Sequence, residues 1–596
     1  MCGFAAIYSY GVDAPPVDSG VLGSISQAMA RRGPDGEGLW LSDDSRVGLA
    51  HRRLAIIDLS NDAAQPMMLE RPEGRLHISY NGEIYNFREL RHDLEVAGHH
   101  FKTTSDTEVL LHLYVRYGRG MVDRLRGMFA FAIWDEKRQG MLLARDGFGI
   151  KPLYYLDQAG AFSAASQVKA LLAGLKAQGR PRPDFDAAGH AGFFLFGNVP
   201  EPHTLYKGIN ALKAGTTLWV DAHGPGQEQS FFDVSSCLAA PTGGGAGEDL
   251  GELLRDSVSH HFVADVPVGV FLSSGLDSAT LVGLASELQG AGLNTLSLGF
   301  DEFKGSANDE VPLAETIAST YGTHQHSVRV AGKDFVKDMD DLLAVMDQPS
   351  IDGVNTYFVA KAAAAEGLKV AISGLGGDEI FGGYDSFSQV PNLVGSVGRI
   401  PGIGEIGRFL RSLSTPLTAI GMPPKAPGLF EYSSSYGDAY LLRRALYMPW
   451  ELSSVLGEDM AQEGLAALQA RRRLDESQSM IWEPKAKVSA LEMSWYMRNQ
   501  LLRDADWAGM AHGLEIRVPF IDTTLFKALA GAISTGCRPG KQEMAATPKK
   551  ALPDAVMNRP KSGFSVPISD WMEGETGTDR GLRSWAKKVY QAQISP

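Results

Sequence analysis

Val266-Pro267-Val268-Gly269-Val270-Phe271-Leu272-Ser273-Ser274-Gly275-Leu276-Asp277-Ser278 decides how the second half of this 596-residue chain folds. Val266 to Leu272 is a short apolar run of the kind that forms a buried strand. A serine-glycine loop follows. Ala279 to Leu288 then carries apolar residues at helical spacing. Working outward, Thr295 to Phe300 reads as a second strand. Lys369 to Ile372 reads as a third, after an Ala-rich helix from Tyr357 to Glu366. Strand alternating with helix is the signature of a parallel α/β sheet. Residues 385 to 530 read as mostly helical, with loops at Pro401 and Pro423.

The loop itself carries chemistry. A glycine loop at a helix N-terminus offers free N–H groups and the positive end of the helix dipole to an anion. Ser273, Ser274 and Ser278 add hydroxyl donors. The G-x-x-x-x-G-K-[ST] spacing and its lysine are absent, so this is another kind of phosphate loop or a plain serine-capped turn. Ser373-Gly374-Leu375-Gly376-Gly377-Asp378-Glu379 follows the third strand, and its glycines allow a ligand close to the backbone. The first loop resembles the SGGxDS pyrophosphate loop of the ATP pyrophosphatase family, whose members cleave ATP between the α and β phosphates and adenylate a substrate. Ser274 stands at the first glycine of that motif. The resemblance implies ATP contacts from Leu272, Ser273, Ser274, Gly275, Leu276, Asp277, Ser278, Leu298, Ser373 and Gly374. It also implies a pyrophosphate contact from Lys561 in Arg559-Pro560-Lys561-Ser562-Gly563-Phe564. Asp277 and Asp378 lie just past strand ends, where ligands gather in open α/β sheets. Two carboxylates beside a triphosphate suit Mg²⁺, a hard cation that prefers oxygen.

The first half reads differently. Phe4 to Tyr8, Val47 to Ala50 and Leu54 to Asp58 are short strands, and Leu76 to Tyr80 is a strand ending in an Asn81-Gly82 turn. Phe129 to Trp134 and Gly140 to Ala144 form a hairpin. Asp106 to Tyr117 is a helix, with Val109, Leu110, Leu113 and Tyr114 at helical spacing. The expectation is an α+β domain with stacked antiparallel sheets. Pro241 to Gly247 is a flexible linker by composition. The boundaries expected are 2–215, a linker at 216–249, and 250–596.

Cys2 follows the initiator. Removing Met1 would place a free α-amine on the residue that carries the thiol, and that amine can serve as its general base. Arg31 to Gly36, His51 to Leu54, Asn81 to Asn86 and Ser105 to Glu108 are polar motifs around it. In this order they resemble the class II glutamine amidotransferase domain, an N-terminal-nucleophile fold in αββα layers, over roughly residues 2 to 210. The resemblance implies that Cys2 attacks the glutamine amide and releases ammonia. It implies that Arg53 binds the glutamine α-carboxylate and that Glu83 and Asp106 hold the α-amine. Asn81 and the Gly82 N–H would form the oxyanion hole.

Both halves together, with Gly509 to Phe520, look like the glutamine-hydrolysing asparagine synthetase family. That implies a carbon–nitrogen ligase whose substrates are glutamine, ATP and aspartate or a related carboxylate. It leaves room for a homodimer. One position departs from the family: Leu375 stands where an acidic residue is usual, and it can neither take a proton nor ligate a metal. The Asp352-Gly353-Val354-Asn355 segment also differs near the acceptor position. An ATP-dependent amide-forming ligase or cyclase acting on a non-aspartate carboxylate is the alternative.

Composition agrees with an enzyme of this kind. Lys and Arg number 56 and Asp and Glu 70, a net charge of −14, so general nucleic-acid binding is not expected. Three cysteines exclude a disulfide scaffold. No apolar run reaches the ~18 residues of a membrane helix, and Met1-Cys2-Gly3-Phe4 has no basic n-region, so a cytoplasmic location is expected.

Overall fold

A computed structural model describes residues 2–241, 249–414, 423, 425–559, 566–571 and 581–594. In the first half two antiparallel sheets lie face to face. One is ordered Ile209–Ala211, Tyr154–Gln158, Ala161–Ala165, Gly3–Ser9, Val47–Arg53, Gly36–Leu41. The other is ordered Gly224–Pro225, Thr216–Asp221, Gly140–Arg145, Gly127–Asp135, Leu76–Ile84, Met67–Leu69, with Gln229–Ser230 beside Thr216–Asp221. Side chains alternate along a strand. One set, including Phe4, Ala6, Leu49, Ala132, Leu143 and Phe162, fills the layer between the sheets. The outer faces are covered by helices. Ser19–Ala28 and Val168–Ala177 join the first sheet through Leu22, Ile25 and Leu171. Phe87–Val96 and Asp106–Tyr117 join the second through Leu90, Leu94 and Val109. The result is the αββα sandwich expected.

Helix Asp106–Tyr117 has the bounds read from sequence, and the Ser105 hydroxyl accepts from the Thr107 N–H at 3.1 Å as its N-cap. Three local expectations fail. Leu54 to Asp58 is not a strand; Val47–Arg53 ends before it. Asn81-Gly82 is not a turn, because Leu76–Ile84 runs straight through it and pairs residue by residue with Gly127–Asp135. A Cβ at Gly82 would sit 2.2 Å from the Met128 carbonyl oxygen, so the glycine is there for a close strand approach. The expected 216–249 linker is largely structured. Thr216–Asp221 extends the second sheet against Gly140–Arg145, and Val234–Ala239 is a helix. The alternating Thr216 to Val220 run supplies the buried face that a linker would lack. Residues 242–248 lie outside the described residues.

The second half is built on five parallel strands ordered His324–Val330, Asn294–Phe300, Val268–Phe271, Val370–Ile372 and Glu515–Arg517. Strands Val268–Phe271, Asn294–Phe300 and Val370–Ile372 and helices Leu276–Gln289 and Val354–Ala365 match the sequence reading. Glu515–Arg517 was expected inside a helical region. It is only three residues long and its charged side chains are buried, so no apolar alternation announces it. No helix among the described residues is long and apolar enough to cross a membrane.

Candidate active sites

Strand Gly3–Ser9 begins beside strand Leu76–Ile84, and this places Cys2 over Asn81. The Cys2 nitrogen donates to Asn81 Oδ1 at 2.9 Å. The Cys2 thiol lies 3.9 Å from the Leu54 carbonyl oxygen, and the Cys2 carbonyl accepts from Arg32 Nε at 3.0 Å. None of these neighbours is an imidazole. Burial pushes the thiol pKa up, so an unassisted thiolate is disfavoured. Asn81 is fully buried, and its Nδ2 has no hydrogen-bond partner among the described residues. A buried, unspent donor beside a nucleophile is what a developing oxyanion needs.

A cleft of about 30 Å³ borders Cys2, Arg53, Gln65, Tyr80, Gly82, Glu83, Ser105 and Asp106. The glutaminase residues read from sequence therefore meet at one place, with Asn81 against the Cys2 nitrogen. Arg53 donates to the carbonyls of Ser60, at 2.7 Å, and Asp58. It has no carboxylate partner among the described residues, which leaves its charge for an acidic ligand. Asp106 Oδ2 accepts from the Tyr80 hydroxyl at 3.0 Å and the Ile84 N–H at 3.1 Å. Burial nevertheless pushes its carboxyl up to about 6. Gln65, which sequence reading passed over, bridges the Tyr80 N–H (2.8 Å) and the Thr107 hydroxyl (3.1 Å).

Glu83 borders the cleft, and its carboxylate faces Arg517 of the second half at 3.0 Å. Arg517 also holds Glu515 at 2.6 Å, and all three are buried. Burial together with the Glu515 charge raises the Glu83 carboxyl well above the usual carboxylate range. A second buried pair crosses the same interface, where Arg32 meets Asp506 at 2.6 and 2.9 Å. The nucleophile's own backbone is thus tied to helix Arg503–Met510 of the other half.

In the second half, Ser273 and Ser278 close the loop on itself. Their hydroxyls are 2.9 Å apart, and the Gly275 N–H donates to Ser273 Oγ at 3.2 Å. A cavity of about 300 Å³ is bordered by Leu272, Ser273, Asp277, Ser278, Leu298, Ser373, Gly374 and Leu375. An adjoining cleft of about 940 Å³ is bordered by Ser274, Gly275, Leu276, Asp277 and Asp378. Every ATP-site residue read from sequence lies on one of the two, except Lys561, which is outside the described residues.

The cleft also holds a residue that sequence reading missed. Lys541 contacts Asp277 and lies 2.8 Å from Asp378 Oδ1. Burial opposes its charge, but the two carboxylates offset this and raise its pKa. The two acids therefore reach a common cation position, a donor set that fits Mg²⁺. Leu375 presents an aliphatic wall beside Phe271. Glu379, the acid that follows Asp378 in the same loop, is fully buried and accepts from the Tyr384 hydroxyl at 3.0 Å. Burial, reinforced by Asp378, pushes it up to about 8. Tyr384, and not Glu379, borders the cleft.

Residues 1–232 match the family model described as a glutamine amidotransferase domain, and residues 249–592 match the one described as asparagine synthase. The chain is 31% identical to asparagine synthetase [glutamine-hydrolyzing] 1 of Bacillus subtilis, over 99% of this chain and 90% of that protein. It is 32% identical to a putative asparagine synthetase [glutamine-hydrolyzing] of Mycobacterium bovis, over 96% and 88%. It is also 33% identical to amidase chry2 of Gibberella zeae, over 65% of this chain and 60% of that protein.

Proposed function

This chain belongs to the asparagine synthase family, and we propose how its two sites divide the work of a glutamine-dependent, amide-forming synthetase that consumes ATP. The observation that carries the division is the pairing, in one chain, of the Cys2–Asn81 cleft with the serine-loop cavity.

At the first site Cys2 gives its thiol proton to its own α-amine, which Asn81 Oδ1 orients. The sulfur attacks the glutamine amide carbon. Asn81 Nδ2 and the Gly82 N–H receive the oxyanion, ammonia leaves, and water cleaves the thioester. Arg53 takes the substrate α-carboxylate and ionised Asp106 the α-amine. Glu83 supports this site through Arg517 and does not bind the amine directly.

At the second site the loop from Leu272 to Ser278 cradles ATP phosphates, and Leu298 flanks the adenine side. Asp277 and Asp378 would hold Mg²⁺, which neutralises phosphate charge. Lys541 then exchanges its carboxylates for phosphate oxygens. A substrate carboxylate attacks the α phosphorus and pyrophosphate departs. Ammonia attacks the acyl carbon, AMP leaves, and the amide remains. Aspartate is the acceptor that the relatives' names suggest. A cytoplasmic homodimer is part of the same reading, tested by sedimentation of the purified enzyme and fractionation of cells.

Amide-labelled [¹⁵N]glutamine with ATP and acceptor tests the division. Label should enter the product amide with the wild-type enzyme. Cys2→Ala should form product only from free ammonia. Loss of both activities in a folded Cys2→Ala enzyme would refute it.

A further inference from the structure

We propose that Arg538 is the receiving cation for the pyrophosphate that adenylation releases, placed in the phosphate cleft beyond Lys541. The proposal rests on reading the serine-loop cavity as the adenylation site. Arg538 borders the cleft of about 940 Å³. Two of its three guanidinium nitrogens, Nε and Nη1, are buried with no hydrogen-bond partner among the described residues. Nη2 donates to the Lys485 carbonyl at 3.2 Å and so holds the group in place. Its guanidinium carbon lies 4.7 Å from the centroid of the Phe387 ring, which supports its face. Buried donors without a partner are rare in folded proteins, and each calls for an explanation. A ligand rich in acceptor oxygens, bound in this cleft, supplies one.

The charge is unspent as well. Glu483 attracts the guanidinium from beyond ion-pair distance, and its own carboxylate accepts from the Ala486 N–H as the cap of helix Pro484–Leu491. Burial lowers the pKa of Arg538 to about 10, which leaves it charged at neutral pH. Two glycines bring this cation to the metal position. Gly382-Gly383 follows helix Gly377–Phe381, which carries Asp378. A Cβ at Gly382, where φ is +70°, would sit 3.3 Å from Arg538 Nη1. A Cβ at Gly383 would sit 1.9 Å from Asp378 Oδ1 and 2.6 Å from Lys541 Cε. Arg538 thus approaches one glycine while Asp378 and Lys541 approach the next, and larger residues would push the three groups apart. Asp277 borders both the nucleotide cavity and the cleft, whereas Arg538 borders the cleft and not the cavity. A triphosphate reaching out of the cavity therefore meets Asp277, with Lys541 in contact with it, before Arg538.

In the adenylation step one oxygen of the acceptor carboxylate bonds to the α phosphorus. The bond from that phosphorus to the bridging oxygen breaks, and the bonding pair leaves on pyrophosphate. The departing group carries one more negative charge on its own oxygens than it did as part of ATP. Lys541 meets the near phosphate, and Arg538 takes the far one as the group moves down the cleft. Guanidinium donors to phosphate oxygens are charge-assisted and roughly twice as strong as neutral ones.

The test uses the full-length enzyme with Mg²⁺. Equilibrium binding of pyrophosphate and of AMP is measured, together with inhibition of acceptor-dependent turnover by added pyrophosphate. Arg538→Met keeps an apolar stem over Phe387 and removes the charge. It should weaken pyrophosphate binding and raise its inhibition constant by about 10- to 100-fold, with AMP binding and glutamine hydrolysis unchanged. Arg538→Lys returns a cation without the planar group and should recover part of the loss. Arg538→Gln, smaller and neutral, gives the same comparison if the Met variant loses glutamine hydrolysis. Parent-like pyrophosphate affinity in the neutral variants would overturn the proposal. So would equal weakening of AMP and pyrophosphate, because that pattern means a distorted cleft and not a lost anion contact. A parent enzyme that hydrolyses glutamine but releases no pyrophosphate from ATP with aspartate or any other carboxylate would overturn the adenylation reading itself.

Discussion

Asn81→Asp separates two jobs that one side chain performs. The variant keeps an oxygen where Asn81 Oδ1 now accepts from the Cys2 nitrogen at 2.9 Å, and it deletes the buried Nδ2 donor. Loss of one oxyanion donor costs about 10²–10³ in kcat, or ~2.7–4 kcal/mol of transition-state stabilisation. An ionised Asp would add to this. Two like charges 4 Å apart repel by roughly 4 kcal/mol at an effective dielectric of about 20, so the loss then exceeds 10³. Glutamate release at saturating glutamine measures kcat directly. Ammonia-dependent pyrophosphate release, which does not use this site, serves as the control and should stay at the parent rate. An unchanged kcat would refute the donor role. A higher KM at constant kcat would also refute it, because that pattern means lost binding common to ground and transition states.

Four further outcomes follow from the geometry. Asp106 binds an amine only when ionised, and burial holds its carboxyl at about 6. The KM for glutamine should therefore rise as pH falls through 6, and Asp106→Asn should raise KM at every pH and flatten the profile in a pH series of glutamate release. Asp378→Asn should abolish acceptor-dependent pyrophosphate release while glutamine hydrolysis persists, in paired assays of one preparation. Leu375→Glu should raise turnover with aspartate, because general-base help is worth about 10²–10⁴, and parent turnover near the ~10 s⁻¹ enzyme median with no gain in the variant would refute this. Arg517→Met strands two buried carboxylates and should cost about 3–5 kcal/mol, seen as a lowered Tm in calorimetry.

The helix carrying Asp106 could be read to the residue because its signals are local: a serine cap and apolar positions at helical spacing. The loop from Leu272 to Ser278 was legible for the same reason, since strand, turn and helix each leave a mark within a few residues. Asn81-Gly82 was misread because the dipeptide looks the same in a hairpin turn as in a strand. What settles it is pairing with Phe129 and Ala130, almost fifty residues away, which no local rule sees. Thr216–Asp221 was given to a linker because glycines nearby dominate the composition, although its alternation was present. Lys541 left no mark at all. It lies 264 residues from Asp277, and a lysine after a glycine at a helix start reads as surface. Glu83 was legible as a site residue but not as Arg517's partner, since ion pairs across domains have no spacing rule.

The Arg32–Asp506 pair bears on how such enzymes can be re-engineered. One design would take the ammonia-releasing half as an interchangeable cassette, cut near residues 232–249 and fused to a new ligase. Here the graft line runs through the nucleophile's support. Arg32 holds the Cys2 carbonyl with one nitrogen and Asp506 with the other two, and both side chains are nearly sealed from water. A transplanted cassette would arrive with a bare guanidinium beside its thiol. A workable chimera must therefore carry an acid at the matching place on the recipient's helix, or a redesigned neutral contact in place of Arg32. Compatibility between donor and recipient is tested at that buried contact, as it is at Glu83–Arg517, before any substrate is considered.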